Sequence, residues 1–150
     1  MMNVTRSSVF PATREEVFAR LQRLDTLQRV AWPYATFDPV GEDAGVWEPG
    51  ATSSYRFRLL GFIPFGTHVI HVVRFGLDEG IYTHEGNEHV PTWNHEIRLE
   101  ALPGGRCRYT DCVDIDAGLK TPFIWLWAQA FYAHRQRTWV RLLRAGSLQD

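Results

Sequence analysis

A chain of 150 residues has the length of one domain and can bury a core without disulfides or metals. Its 45% hydrophobic and 22% charged residues are an ordinary globular balance, and a net charge of −1 gives no electrostatic footprint for nucleic acid or an anionic membrane. The 6 Trp, 5 Tyr and 9 Phe are large rings that either fill a bulky core or furnish an interior cavity.

In chain order, Asn3 to Phe10 alternates weakly and carries β-branched residues, which predicts a first strand ended by Pro11. Thr13-Arg-Glu-Glu16 has capping-box spacing and opens a helix over Val17, Phe18 and Leu21. A second short helix is expected over Asp25 to Ala31, stopped by Trp32-Pro33. Thr36 to Gly50, rich in Gly, Pro and acids, reads as loop or irregular edge.

From Thr52 the period becomes two, with Tyr55, Phe57 and Leu59 on one face and Ser54, Arg56 and Arg58 on the other. Gly61 to Gly66 is expected to turn into a strand over Thr67 to Phe75, both faces of which are apolar. His68, His71 and Arg74 therefore have no assigned side, although His68 and His71 must point apart, which argues against a shared metal. Asp78-Glu79-Gly80 is a turn before a short strand at Ile81 to Glu85, and Asn87 to Pro91 is the next turn. His84 and His89, with Glu85 and Glu88, read as a surface cluster, since no ligand spacing appears.

The clearest strand is Thr92 to Leu102, with Trp93, His95, Ile97 and Leu99 inward and Asn94, Glu96, Arg98 and Glu100 outward. Pro103-Gly104-Gly105 turns it into Arg106 to Asp116, whose apolar face carries Cys107, Tyr109, Val113 and Ile115. With 103–105 as the loop, Leu99 faces Tyr109, Ile97 faces Asp111 and His95 faces Val113; inward residues then match in parity. His95 and Asp111 become diagonal neighbours within side-chain reach. An inward carboxylate needs a partner, a water or a proton, and pairing would orient the imidazole. Cys107 and Cys112, five apart on this strand, point to opposite faces about 16 Å apart and cannot form a disulfide.

Thr121 is a suitable N-cap and Pro122 a suitable first residue for a long last helix reaching about Ala145, where Gly146 stops it. Roughly 24 residues make about 36 Å, enough to cross the sheet. With Phe131 as reference, Ile124, Ala128, Arg135, Thr138 and Leu142 lie within about 60° of it, flanked by Trp127 and His134. Arg135 thus points at the sheet, either closing an ion pair with Asp111 or Asp114, snorkelling past the sheet edge, or meeting the acidic head of a ligand. His95 is likewise either an interior histidine or a functional one. The helix start, Phe123 to Trp127, is apolar all round and needs a second partner: a cavity mouth, the early helices, or another chain.

Strand, two helices, a run of antiparallel strands and a long helix make an α+β class. The segments "SSVFPATREEVFARL", "GFIPFGTHVIHVV", "WNHEIRLE", "CRYTDCVDIDAG" and "FYAHRQRTWVRLL" resemble the START/Bet v 1-like superfamily (SRPBCC, the helix-grip fold) over essentially the whole chain, as in a small bacterial-type member. The resemblance implies a curved sheet wrapped around the last helix with a pocket between them. Members include lipid and hormone carriers, aromatic polyketide cyclases and co-chaperone-like domains, so the fold alone does not choose the use. The NTF2-like cone places its helices before its main sheet, and the terminal helix here speaks against it.

The expected function is capture of a lipid-like or aromatic small molecule, with Tyr55, Phe57, Trp93, Ile97, Tyr109, Trp127 and Phe131 as walls and His95, Asp111 and Arg135 orienting a polar group. The alternatives are a polyketide cyclase or dehydratase with His95 as general acid/base and Asp111 as its orienter, and an interaction module docking through the apolar helix start. Neither a phosphate loop, a GxSxG elbow nor a metal or cofactor signature appears, and the assembly is expected to be a monomer or homodimer. No stretch approaches the roughly 20 apolar residues of a membrane span. The opening MMNVTRSSVFPATREEVF lacks the plan of a secretion signal, so the cytoplasm is the expected address.

Overall fold

The computed structural model describes residues 1–40 and 47–149. Seven antiparallel strands form one sheet in the order β1-β7-β6-β5-β4-β3-β2: β1 Met2–Phe10, β2 Ala35–Val40, β3 Thr52–Leu59, β4 Ile63–Gly76, β5 Gly80–Gly86, β6 Thr92–Leu102 and β7 Arg106–Asp116. Two short helices, α1 (Arg14–Leu21) and α2 (Leu24–Ala31), follow β1, and the long α3 (Thr121–Gln149) comes last. This is the expected α+β helix-grip architecture.

Local chemistry explains most boundaries. The Thr13 hydroxyl accepts from the Glu16 amide at 3.3 Å and starts α1, whose Val17 and Leu21 are buried. Helix α2 ends at Trp32, and the Trp32–Pro33 peptide is cis. The β6–β7 register runs from Thr92 opposite Asp116 to Leu102 opposite Arg106 without a shift, as the short hairpin requires. The inner face holds a core of Val4, Trp93, Val113, Ile115, Ala128, Phe131 and Tyr132 at one end. A second core of Phe10, Val17, Leu21, Val30, Ile97, Tyr109, Trp139 and Leu143 lies under α1 and α2 at the other.

Four local expectations change. Of the stretch Thr36 to Gly50, expected as loop or irregular edge, residues 36–40 form with Ala35 the regular edge strand β2 paired with β3, and residues 41–46 lie outside the described residues; Asp38 and Pro39 suit an edge, where one ladder side is unpaired. The expected stretch of turn through Gly66 is shorter, because β4 already begins at Ile63. Thr121 lies inside the helical run rather than capping it: its hydroxyl donates to the Gly118 carbonyl and accepts from the Ala117 amide, fastening a 3-10 turn (Gly118–Lys120) onto α3. Gly146 does not stop α3, which continues to Gln149.

The buried stripe of α3 is also rotated from the one expected. Ala128, Tyr132, Gln136, Trp139 and Leu143 are buried, whereas Thr138 and Leu142 are only half-buried. The reference residue Phe131 lies at the stripe's margin, towards the cavity described below. The sheet's outer face is solvated and charged, with Glu96 paired to Arg74 and Arg98 and Glu100 paired to Arg108. No helix among the described residues is long and apolar enough to cross a membrane.

Candidate functional site

Between the inner face of the sheet and α3 lies a cavity of about 260 Å³. Tyr55, Phe57, Trp93, His95, Ile97, Trp127, Phe131 and Arg135, each anticipated from alternation or helical spacing, are in its wall. Further aromatic surface comes from Phe37, Trp47, Phe65 and Phe75, and the polar groups Thr83, Glu85, Asn87 and His68 also face it.

Tyr109 and Asp111 are on the expected face but not in the wall. The Tyr109 ring stacks on Phe10 at 4.6 Å between centroids and tilts against Trp139, so the second core covers it. Asp111 has no exposed surface because three side chains close over it. Its Oδ1 lies 2.7 Å from His95 Nε2 and accepts from the Tyr109 hydroxyl at 3.1 Å, while its Oδ2 accepts from Gln136 Nε2 at 3.0 Å. Burial alone would raise the Asp111 pKa; the His95 hydrogen bond and the Arg135 charge outweigh it and hold the carboxyl below its ordinary range. An ionised carboxylate is acceptor-only, so His95 carries its proton on Nε2. The Gln136 amide has a fixed orientation too, since its Oε1 accepts from Ser8 Oγ at 2.5 Å and its Nε2 also donates to the Arg6 carbonyl at 2.8 Å.

A second carboxylate stands beside the first. Glu85, expected in a surface cluster, is instead turned inward: β5 pairs with β6 so that Ile81, Thr83 and Glu85 lie opposite Ile97, His95 and Trp93. Its Oε2 accepts from Thr83 Oγ1 at 2.5 Å and its Oε1 lies 2.8 Å from His68 Nε2. Asn87 assigns the histidine tautomer. Its Oδ1 accepts the His89 and Val90 amides, so its Nδ2 donates to His68 Nδ1 at 3.2 Å, leaving the ring proton on Nε2 to donate to Glu85. Burial pushes the Glu85 pKa up, but the hydrogen bonds from His68 and Thr83 bring it below its usual value. Between the clusters, His95 Nδ1 faces Glu85 Oε2 at 3.9 Å, an electrostatic contact too long for a hydrogen bond.

His71, by contrast, points outward to Thr52, and His84 packs edge-on against Tyr82. His89 stacks on Phe65. Among the described residues no group of three or more His, Cys, Asp or Glu could hold a metal ion, and both cysteines are free.

Arg135 does not form the ion pair with Asp111 or Asp114 considered above. Tyr109 stands between: Arg135 Nη2 is 3.5 Å from its hydroxyl, which in turn donates to Asp111. The guanidinium carbon sits 5.8 Å from the centre of the Tyr132 ring. At the start of α3, Phe123, Ile124 and Trp127 line the cavity and Trp125 donates to the Asn3 carbonyl at 2.8 Å. Leu119 and Leu126 remain open to solvent, and Phe123 is largely exposed as well.

A family model described as "Domain of unknown function (DUF8410)" matches residues 8–143. The chain belongs to the DUF8410 family. Solved structures share the fold of this DUF8410 domain at low identity. A START superfamily protein from Mycobacterium smegmatis superposes with a TM-score of 0.73 at 11% identity, over 95% of this chain and 97% of that one. The Zhui aromatase/cyclase from Streptomyces sp. R1128 gives 0.74 at 10% identity, over 95% and 93%. The Aha1 dimer from Colwellia psychrerythraea gives 0.69 at 15% identity, over 95% and 96%. No curated protein matches the sequence. The DUF8410 domain therefore has a START/SRPBCC-like fold.

Proposed function

We propose that this DUF8410 domain, one unit over residues 1–150, reversibly binds a small, mostly apolar aromatic molecule in the cavity between sheet and α3. The observation that carries this is the wall itself: about 260 Å³ enclosed by aromatic and aliphatic side chains with a few convergent polar groups. That volume is just below the roughly 300–1,000 Å³ of small-molecule sites and favours a compact ring system over a long acyl chain. Trp127 and Phe131 stack on each other at 4.9 Å and present their edges and outer faces to the cavity, with Trp93 edge-on to Trp127. Tyr55, Phe57 and Ile97 complete the apolar wall, while His95 and Arg135 supply polar contacts. Asp111 and Tyr109 act from behind, fixing the His95 ring. Fold relatives that include a START superfamily protein and an aromatase/cyclase favour the same reading.

The test is a native mass spectrum of the purified protein followed by analysis of its organic extract. A stoichiometric co-purifying aromatic compound supports the reading. An apo mass, with no thermal stabilisation by a panel of polycyclic aromatics and fatty acids, sinks it.

A second reading, a cofactor-free cyclase or dehydratase, is favoured by the His95–Asp111 pair. Asp111 holds Nε2–H, which leaves Nδ1 as the atom able to take a proton. Under that reading His95→Ala lowers turnover by about 100-fold or more while ligand still binds; under the carrier reading it weakens binding modestly.

A further inference from the structure

We propose that the ligand of this cavity carries an acidic oxygen, a carboxylate or phenolate, which is received by Arg135 while its ring system lies along Trp127 and Phe131. The inference deepens the binding reading above and rests on it. Its basis is the unequal hydrogen bonding of the three charged side chains around the cavity.

Asp111 has three donors, from His95, Tyr109 and Gln136. Glu85 has two, from His68 and Thr83. In both clusters the donor geometry is locked by a second layer: Ser8 fixes the Gln136 amide, and the backbone of residues 89 and 90 fixes Asn87 behind His68. Neither carboxylate turns to Arg135 without losing those bonds.

Arg135 has a fork of five N–H donors, and its one hydrogen bond to a described residue is the 3.5 Å approach to the Tyr109 hydroxyl, at the limit of such a bond. Its Nε is buried with no hydrogen-bond partner among the described residues. The Tyr132 ring supports the cation by its face but accepts no proton. A half-buried guanidinium whose Nε is shut off from water, with no carboxylate of a described residue in contact, is poorly compensated. An oxyanion brought in by the ligand supplies what the protein omits, and the planar fork suits a carboxylate well.

The helix gives this site a direction. Trp127, Phe131 and Arg135 follow one another at intervals of four, the spacing that stacks side chains along one face of a helix. All three are in the cavity wall. Two parallel rings lead to a cation, so a flat apolar body and an acidic oxygen are matched in order along one strip. The two carboxylates are held to their own donors, and among the described residues a ligand cation would find no unclaimed anion near this strip.

The test uses the full chain and two probes of the same shape, 2-naphthoate and the neutral 2-naphthalenemethanol, titrated at pH 7 by calorimetry. The wild-type protein is expected to prefer the carboxylate by about tenfold or more. Arg135→Met should abolish that preference by lowering carboxylate affinity far more than alcohol affinity, while Arg135→Lys should retain part of it as a point charge without the fork. Equal binding of both probes by the wild type overturns the inference, as does an Arg135→Met protein that keeps the preference. The wild-type comparison decides even if Arg135→Met does not fold. If the alcohol binds and the carboxylate does not, the cavity reading stands and this one falls. If neither binds, both fall.

Discussion

Asp111 and Glu85 are chemically alike, ionised and each set against an imidazole, yet Asp111 is fully buried while Glu85 is only partly so, and they differ in what surrounds them. Asp111 lies behind the wall, joined through Gln136 to the backbone of β1 and through Tyr109 to the second core. Glu85 faces the cavity, and its histidine is steadied by a turn, 87–91, rather than by a core. The first carboxylate therefore acts as a joint between β1, β6, β7 and α3. The second belongs to the cavity wall. A buried acid is not by itself a sign of chemistry; its contacts decide whether it serves the fold or the cavity.

The largest way to sharpen that contrast is Asp111→Ala. It strands donors from His95, Tyr109 and Gln136, and a loss of about 3–5 kcal/mol in urea unfolding is expected. A loss below about 1 kcal/mol would deny Asp111 its joining role. Glu85→Gln should cost less, about 1–2 kcal/mol, because the amide still offers an oxygen to His68 and Thr83 can turn its hydroxyl to accept.

The two sites also predict an acid limb. Both carboxyls titrate below their ordinary values in the folded chain, so in the window between folded and unfolded values the unfolded chain binds more protons. Their contribution is complete above about pH 5 and is lost as pH falls through the folded values. Urea midpoints between pH 3 and pH 6 should show this decline, and Glu85→Gln should make it shallower. An unchanged slope would mean that Glu85 is not held ionised by His68 and Thr83. Ser8→Ala is the mildest probe. It removes the hydroxyl that orients Gln136 and should cost about 0.5–1.5 kcal/mol, with no change in ligand affinity if Asp111 acts only from behind the wall.

How far the sequence reaches depends on whether parity survives from one strand to the next. The three-residue turn at 103–105 and an unbroken ladder make β6 and β7 readable, and the His95–Asp111 contact follows directly. The same reasoning carried across the turn at 87–91 places Glu85 beside Trp93 and His95; the polar, turn-rich setting of His84 to His89 hides it. On β4, a bulge between Val72 and Arg74 defeats strict alternation, so His68, Ile70 and Val72 face inward and Phe75 resumes on that side after the irregularity. Helix α3 misleads for another reason. Its sheet-facing arc includes Gln136, whose polarity is satisfied by Ser8, Arg6 and Asp111, and a polar residue at the centre of a buried stripe shifts any estimate based on apolar spacing.

Strand β1 finds its partner at the far end of the chain: Val4 lies opposite Val113 and Phe10 opposite Cys107. During synthesis the first strand must wait unpaired until β7, the last strand, has emerged. Pairings so distant in sequence carry a large loop-closure cost and form slowly. The Asp111 joint draws on β1, β6, β7 and α3 together, so it closes only when the last helix has docked. The shape of the cavity is thereby tied to the docking of α3 onto β1 and β7, the first and last strands of the chain.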